Sequence, residues 1–578
     1  MSRRLLAAVV ALVLGAAAPA GAQLPIPEVT RGSAPVYVGA AVEPRPFDGA
    51  FAVPRHPHMA PNGRSNLHED AFQTDTVAPG RVAPLGDGTR RTASRLFVQE
   101  CASITFDSRG QAVTVCVGLA QPTLRVLDPV TLEERAALDL PPRNPLAGTG
   151  NPLTSFGGGG YFFLDDRDRA VIPTADRHVR VVQVGPEPSL RQVADVALTS
   201  AVADGDSVIS ALPDWSGRIW FATSRGVVGT VDLASGTVRA TPTGEGIGNS
   251  FAVDRDGSVS LVTDAALYRF EAGDDGVPRA VWRLAYDDVG VVKPGQTQAG
   301  SGTTPTLMGE DLVAFTDNAD PMHVVVAQRG READGERVVC RQPVFRPGAS
   351  ATDQSLIVAG RTIVVENNHG YQLASSLAGG SSAAPGLARV DLDEDGRGCR
   401  VVWTSEERAP SVVPKLSLET GLVYTYTKDQ GSDAWYLTAL DVRDGSTRWK
   451  ALGGASLGFN NNYAPITVAP DGAILLGVLG GVVRFADARP PHLAPRPAPS
   501  RGSAQRAPLL SARCLPRGRV RLAVRSPGVR RATFTAGRRT RTVRARPYAV
   551  TLPRAARVAV RVLRRSGAVR RASRRLRC

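Results

Sequence analysis

The chain has 578 residues, with 69 Lys plus Arg against 54 Asp plus Glu and a formal charge of +15. An apolar content of 43 % excludes a disordered or collagen-like chain and suffices for one large core plus a small domain. The positive charge is not spread evenly: residues 511–578 hold 22 Arg and no Lys, His, Asp or Glu, residues 488–510 add four Arg and no acid, and the first 22 residues add two, which leaves residues 23–487 near −13. A polyanion-binding function for the whole chain is therefore excluded, and any such function belongs to the tail. Only four basic residues are lysines (Lys293, Lys415, Lys428 and Lys450), the bias that a GC-rich genome imposes.

At the start, Arg3 and Arg4 precede an apolar run from Leu5 to Ala18, and Ala20-Gly21-Ala22 supplies a small-x-small cleavage pattern. The pattern predicts a signal peptide over 1–22 and a secreted, extracytoplasmic protein, exported by ordinary secretion or, on Ser2-Arg3-Arg4, by a twin-arginine route. No later segment has the apolar length to cross a bilayer. Residues 23–89 read as an irregular N-terminal segment. Within it His56, His58 and His68, with Glu69 and Asp70, are the densest group of potential metal ligands. His-x-His on an extended segment puts both rings on one side, and a third His completes a zinc or copper set; Pro57, Pro61 and Gly63 favour instead a chain wrapped around a barrel.

Six cysteines in an oxidising compartment predict disulfides. Cys101 and Cys116 flank a strand, an Asp107–Gly110 turn and a second strand, and a hairpin centred between Ser108 and Arg109 sets the two thiols opposite each other. Cys514 and Cys578 bracket the Arg-rich tail, where closing the loop stabilises by about 4 kcal/mol. Cys340 and Cys399 pair by elimination.

From residue 90 to 487, short β-branched runs alternate with Asp-Gly, Ser-Gly and Asn turns, in units of roughly 40–60 residues. The expected fold is all-β: an eight-bladed β-propeller, with seven blades as the alternative count, followed by a small C-terminal β-sandwich. The last unit has three evident strands, and Thr89–Phe97 is placed to supply the fourth and close the ring. Residues 488–510 read as a Pro/Arg-rich linker. Beyond it, Arg519–Val524 and Arg557–Val562 alternate basic and apolar residues, the pattern of an Arg-faced sandwich over 511–578. The tail looks like the Arg-rich, Cys-bracketed Ig-like modules of secreted proteins from GC-rich bacteria.

The segment Ala439-Leu440-Asp441-Val442-Arg443-Asp444-Gly445-Ser446-Thr447-Arg448-Trp449 resembles the repeat of quinoprotein-alcohol-dehydrogenase-like (PQQ-repeat) propellers, in which the Trp packs between blades; Trp282 and Trp403 occupy similar places. The resemblance implies a propeller and raises pyrroloquinoline quinone with calcium as a cofactor. The adjacent Cys-Cys pair typical of those enzymes is absent, so no cofactor is expected and PQQ with calcium stays as the alternative. Asp391-x-Asp393-x-Asp395-Gly396 matches half of a calcium loop, but its twelfth position is Val402, which favours a hairpin turn.

Polar residues at unit starts and after second strands are the expected lining of the propeller mouth: Lys293, Gln296, Asn318, Asn367, Asn368, His369, Lys415, Asn461, Asn462 and Tyr463. Amides, two lysines and a histidine there suit a small ligand, a carbohydrate or a protein; the competing reading is that they satisfy converging backbone groups. No nucleophile elbow or triad is recognisable and no catalytic residue is assigned. The tail's arginines suit anionic envelope polymers, and the near absence of aromatics argues against specific nucleic-acid recognition. The expected function is a non-catalytic ligand- or protein-binding scaffold at the cell envelope; the alternative is an extracytoplasmic quinoprotein-like oxidoreductase or lyase using the funnel.

Overall fold

The computed structural model describes residues 24–489, apart from 30–31, 119–120, 144–156, 188, 373–381, 395, and most of 510–575. The expected signal peptide, the linker from residue 490 to 509, and Cys578 with its expected bond to Cys514 lie outside the described residues. Among the described residues every regular element except one short 3-10 turn, Leu457–Phe459, is a strand, and no helix is long and apolar enough to cross a membrane.

Between Arg90 and Ala486 the strands form eight antiparallel sheets, each a four-strand meander. The first sheet runs from Glu100–Phe106 to Glu134–Asp139, and the following ones begin at Phe163, Val208, Ala252, Thr306, Ile357 and Lys415. The closing sheet takes Ile466–Val468, Ile474–Val478 and Gly481–Ala486 from the end of the repeat region and its fourth strand, Arg90–Leu96, from the beginning. That is the closure expected for Thr89–Phe97, and it leaves the array without a free terminal sheet. Asp-Gly and Ser-Gly turns recur because their glycines take positive φ, as at Gly217 (90°) and Gly257 (82°). Outer-strand tryptophans bind successive sheets: the Trp282 indole N–H donates to Gly330 O at 3.0 Å and that of Trp403 to Val442 O at 2.9 Å. Trp449 is fully buried beside Tyr424 and the N-terminal segment.

Both expected propeller disulfides are present. Cys101 and Cys116 are direct partners in the register of the first hairpin, and Cys340–Cys399 joins the outermost strands of the fifth and sixth sheets with Cα atoms 6.0 Å apart. Two disulfides are consistent with an oxidising, extracytoplasmic environment.

The N-terminal segment does more than wrap the outside. Tyr37–Gly39 adds an edge strand to the seventh sheet, Phe47 N–H donates to Leu418 O, and the chain then enters the axis. There it meets the innermost strands one after another: Ala60 N–H donates to Leu164 O, Val253 N–H to Ala71 O, Leu307 N–H to Phe72 O, Val358 N–H to Thr74 O, and Leu416 N–H to Asp75 O. Thr76–Val77 pairs in parallel with Leu416–Ser417. Arg64 donates to Asp107 O of the first sheet and Arg81 to Val468 O of the closing sheet. An inner strand at a ring axis has one unpaired edge, and this segment supplies the missing partners. Residues 59–77 therefore fill the axis, and Met59, Phe72 and Val77 are buried among the inner strands.

The C-terminal module has a three-stranded sheet, Leu510–Leu515, Arg519–Val524 and Ala549–Pro553, and a four-stranded sheet in the order Arg539–Val543, Val529–Ala536, Arg557–Arg564 and Val569–Arg575. Its core includes Leu522, Phe534, Val550 and Val560.

Candidate functional site

The axis holds a buried polar network. Asp75 accepts from Lys415 Nζ and from Ser355 Oγ (2.5 Å), and its Oδ2 lies 3.0 Å from His68 Nδ1; Lys415 also donates to Leu67 O. Lys415, Asp75 and His68 are all within a few per cent of complete burial. Burial pushes the Asp75 carboxyl up, but Lys415 and His68 outweigh it and hold it below its ordinary value. Burial likewise holds His68 below its usual value, so its ring is neutral near pH 7. His68 Nε2 has no partner among the described residues, and His68 borders a small cavity also lined by Gln73, Tyr161, Ser210 and Ser250, with room for about one water. Ser355 and Asp75 share one ring nitrogen, so the set lacks the linear order of a catalytic triad.

The three histidines singled out in the N-terminal segment are not brought together. His56 is buried with its ring 4.1 Å from Trp215, His58 donates its N–H to His56 Nδ1, and His68 serves Asp75. Desolvation lowers His56 to about 4. Among the described residues the grouping that meets metal-ligand spacing is Asp287, Asp317 and His323, which no sequence argument flagged. Asp317 is already engaged there, taking the N–H groups of Ala319 and His323 on Oδ1 and lying 2.6 Å from the His323 ring through Oδ2. Of the half calcium loop, Asp391 pairs with Arg389 and Asp393 with Arg400, whereas Asp395 lies outside the described residues.

Most of the residues expected at the mouth do meet at one end of the ring, on three loops that hold one another. Gly370 N–H donates to Pro294 O, Tyr463 O–H donates to Gly295 O (3.2 Å), and the rings of Tyr371 and Tyr463 meet edge to face at 5.4 Å. Gly295 lies so close to Asn368 O that a Cβ there would stand 2.0 Å from it. Asn368 accepts from Asp353 N–H and donates to Glu366; Asn367 donates to Ala349 O and Pro385 O; Asn461 donates to Ala464 O and Gly477 O; Asn462 donates to Glu100. Gln296 bonds Gly300 O and the Lys293 N–H, while Lys293 Nζ donates to Ala319 O and Ser350 O. Desolvation lowers Lys293, and desolvation together with Lys293 lowers His369. Lys415 is not part of this end and lies in the axial network. These amides chiefly satisfy backbone groups where loops converge, so they form a framework rather than an open lining.

Of the buried acids in this framework, Glu366 is bonded on both oxygens by Asn368 and Thr425, and two others are not. Burial raises Asp353 to about 7 and Glu100 well above its ordinary value, and each keeps one oxygen without a partner among the described residues. Folded Asp353 holds its proton over the window, about pH 4 to 7, in which the unfolded chain has lost it. Its contribution to stability therefore falls as pH rises through that window. Asp353→Asn is expected to lessen the stability lost between pH 5 and pH 8, read as a smaller shift in urea midpoint than the parent chain shows; an identical shift rejects the assignment.

What this framework presents outward is apolar. Val289, Val291 and Val292 are 43 %, 56 % and 53 % exposed. They are held fast from beneath: fully buried Asn318 donates to Asp288 Oδ1 (2.7 Å) and Val291 O (3.2 Å), and its carbonyl accepts Val289 N–H. Exposed Asp287 and Asp288 directly precede the valines in the chain, and Asp287 also pairs with Arg341 at 3.5 Å. The sequence signal was present, an Asp-Asp-Val-Gly-Val-Val-Lys-Pro-Gly run with apolar residues in a loop, but nothing local marks such a loop as anchored.

No family model matches the chain. An uncharacterized protein of Archaeoglobus fulgidus is 32 % identical over 320 residues, half of this chain; the match spans 62 % of that relative's length. Among solved structures, BamB from Moraxella catarrhalis aligns over 78 % of this chain and 99 % of its own, at 12 % identity and a TM-score of 0.41. A streptogramin B lyase aligns over 69 % and 96 %, at 9 % identity and a TM-score of 0.34. Both neighbours are β-propellers; the propeller assignment of this chain stands on its own ring of four-stranded meanders.

Proposed function

We propose that the protein is a secreted, non-catalytic scaffold of eight blades that docks a protein partner on the end of the ring carrying Val289, Val291 and Val292, with the Arg-rich module holding it near anionic envelope polymers. The observation that carries this reading is the pinned, exposed valine cluster next to exposed Asp287 and Asp288. Exposed apolar groups on a rigid loop lose little entropy when covered, and desolvating them drives association. The acidic border selects a partner with apolar side chains flanked by Lys or Arg. The axis, where a funnel enzyme would hold substrate or cofactor, is occupied by residues 59–77, which weighs against the oxidoreductase or lyase alternative and against pyrroloquinoline quinone. A PQQ-repeat origin agrees with the Ala439–Trp449 segment.

The test places a photo-crosslinking residue at Val292. A discrete protein adduct in envelope fractions is expected, and Val289→Asp with Val291→Asp should abolish it without moving the unfolding midpoint. Absence of an adduct, or one that survives both substitutions, rejects the docking role.

A further inference from the structure

Because every sheet of the ring is a four-strand meander, each is joined to the next by a turn from its outermost strand to its neighbour's innermost strand, and these turns all lie at one end of the ring. Among the described residues, two of them expose large apolar side chains. One carries Val289, Val291 and Val292 between the fourth and fifth sheets. The other lies between the closing sheet and the first, where Val98 is 62 % exposed next to part-buried Phe97. In a ring of eight sheets these two turns stand four sheets, or half a turn, apart.

The Val98 turn is held as firmly as the other. Phe97 N–H donates to Gly480 O (2.8 Å), and the Gln99 amide donates to Gln121 O (2.5 Å) and accepts from Arg125 Nη2 (2.6 Å). Val98 has a φ of 54°, a region that β-branched residues avoid, so these anchors and not its own preference put the side chain outside. The guanidinium groups of Arg95 and Arg125 lie over the Phe97 ring, 5.4 and 4.4 Å from its centroid. Arg125 pairs with Glu134, whereas Arg95 makes no ion pair among the described residues and keeps Nε and Nη1 without acceptors there. At the other turn Asp288 accepts from Gly290 N–H and the Asn318 amide, and no cation among the described residues pairs with it.

Resting on the reading of this end as a docking surface, we propose that its partner is a second copy of this chain, bound face to face. A two-fold axis lying across the face, at right angles to the line between the two turns, lays each copy's Val98 turn on the other copy's 289–292 turn. Apolar side chains then meet apolar ones, and the unpaired Arg95 comes to the turn that holds the other copy's Asp288. One contact of this size makes only a transient complex, but the symmetry makes it twice. It also closes the assembly, since both turns of each copy are used and a third copy finds none free. The chain leaves the repeat region away from this face: Ala486 pairs with Arg90, at the far end of the strand that leads to Val98.

Sedimentation velocity of the full chain tests this. A concentration-dependent step from one chain mass to two is expected, with nothing larger. Val98→Gly removes the anchor and relaxes the positive φ, so it should weaken dimerisation by about tenfold at each contact, about a hundredfold for the two, without lowering the unfolding midpoint. Val289→Asp with Val291→Asp should weaken it likewise. Val98→Cys chains mixed with Val292→Cys chains under mild oxidation should give a covalent dimer that neither variant gives alone. Crosslinking within a single variant, growth beyond the dimer, or a dimer of unchanged affinity in Val98→Gly each overturns the proposal. A chain that stays monomeric but still gives the Val292 adduct with another envelope protein rejects the second copy and keeps the docking reading; one that stays monomeric and gives no adduct rejects both.

Discussion

Replacing Lys415 by Met is expected to cost about 3–5 kcal/mol of folding stability, because it leaves the fully buried Asp75 carboxylate without its principal counter-charge. Asp75 retains only His68, held neutral by burial, and the Ser355 hydroxyl. The reverse substitution, Asp75→Leu, leaves a buried ammonium facing Leu67 O and is expected to cost a similar amount. The two losses should not add: the double variant removes both charges, and its cost falls well below the sum. Urea unfolding of the two single variants and the double variant measures the coupling. The exposed pair Arg400–Asp393 is the control, since breaking it should change stability by less than about 1 kcal/mol. Additive losses at Asp75 and Lys415 would show that the pair is not a unit.

A chain beginning at Ala83 is expected not to fold. Such a truncation leaves the N–H groups of Val253, Leu307, Val358 and Leu416 without acceptors and takes Met59, Phe72 and Val77 from the inner strands. At about 1 kcal/mol or more per orphaned group and about 1.5–3 kcal/mol per lost apolar side chain, the loss rivals the whole stability of a typical domain. Near-UV circular dichroism and thermal scans of the truncated protein should show no cooperative transition. A transition within a few degrees of the full chain would demote the axial segment to a passenger.

The features legible in the sequence are those set by local chemistry. Strand alternation and Asp-Gly turns marked the meanders, the spacing of Cys101 and Cys116 fixed their hairpin register, and the missing strand of the last unit pointed to Thr89–Phe97. The axial segment was not legible because its partners are dispersed: its carbonyls and amides bond strands from Leu164 to Leu416, and Asp75 meets Lys415 across 340 positions. Irregular backbone with Pro57, Pro61 and Gly63 carries no period to reveal a role that depends on the inner edges of other sheets. The polar loops were found but their exposure was not. Asn368, Asn461 and Asn462 look ligand-facing in sequence, yet converging loops leave so many backbone groups to satisfy that the amides are consumed internally. Val289, Val291 and Val292 escaped notice because apolar residues in a loop are ordinarily covered.

The closing sheet and the filled axis also set the order of assembly. Arg90–Leu96 waits for Gly481–Ala486, and residues 59–77 need inner strands from five other places in the chain, so a ribosome-bound fragment lacks the partners of its own first segment. Such dependence of early residues on late ones gives high contact order and slow folding. A polypeptide built this way keeps its first segment open until its last sheet is made.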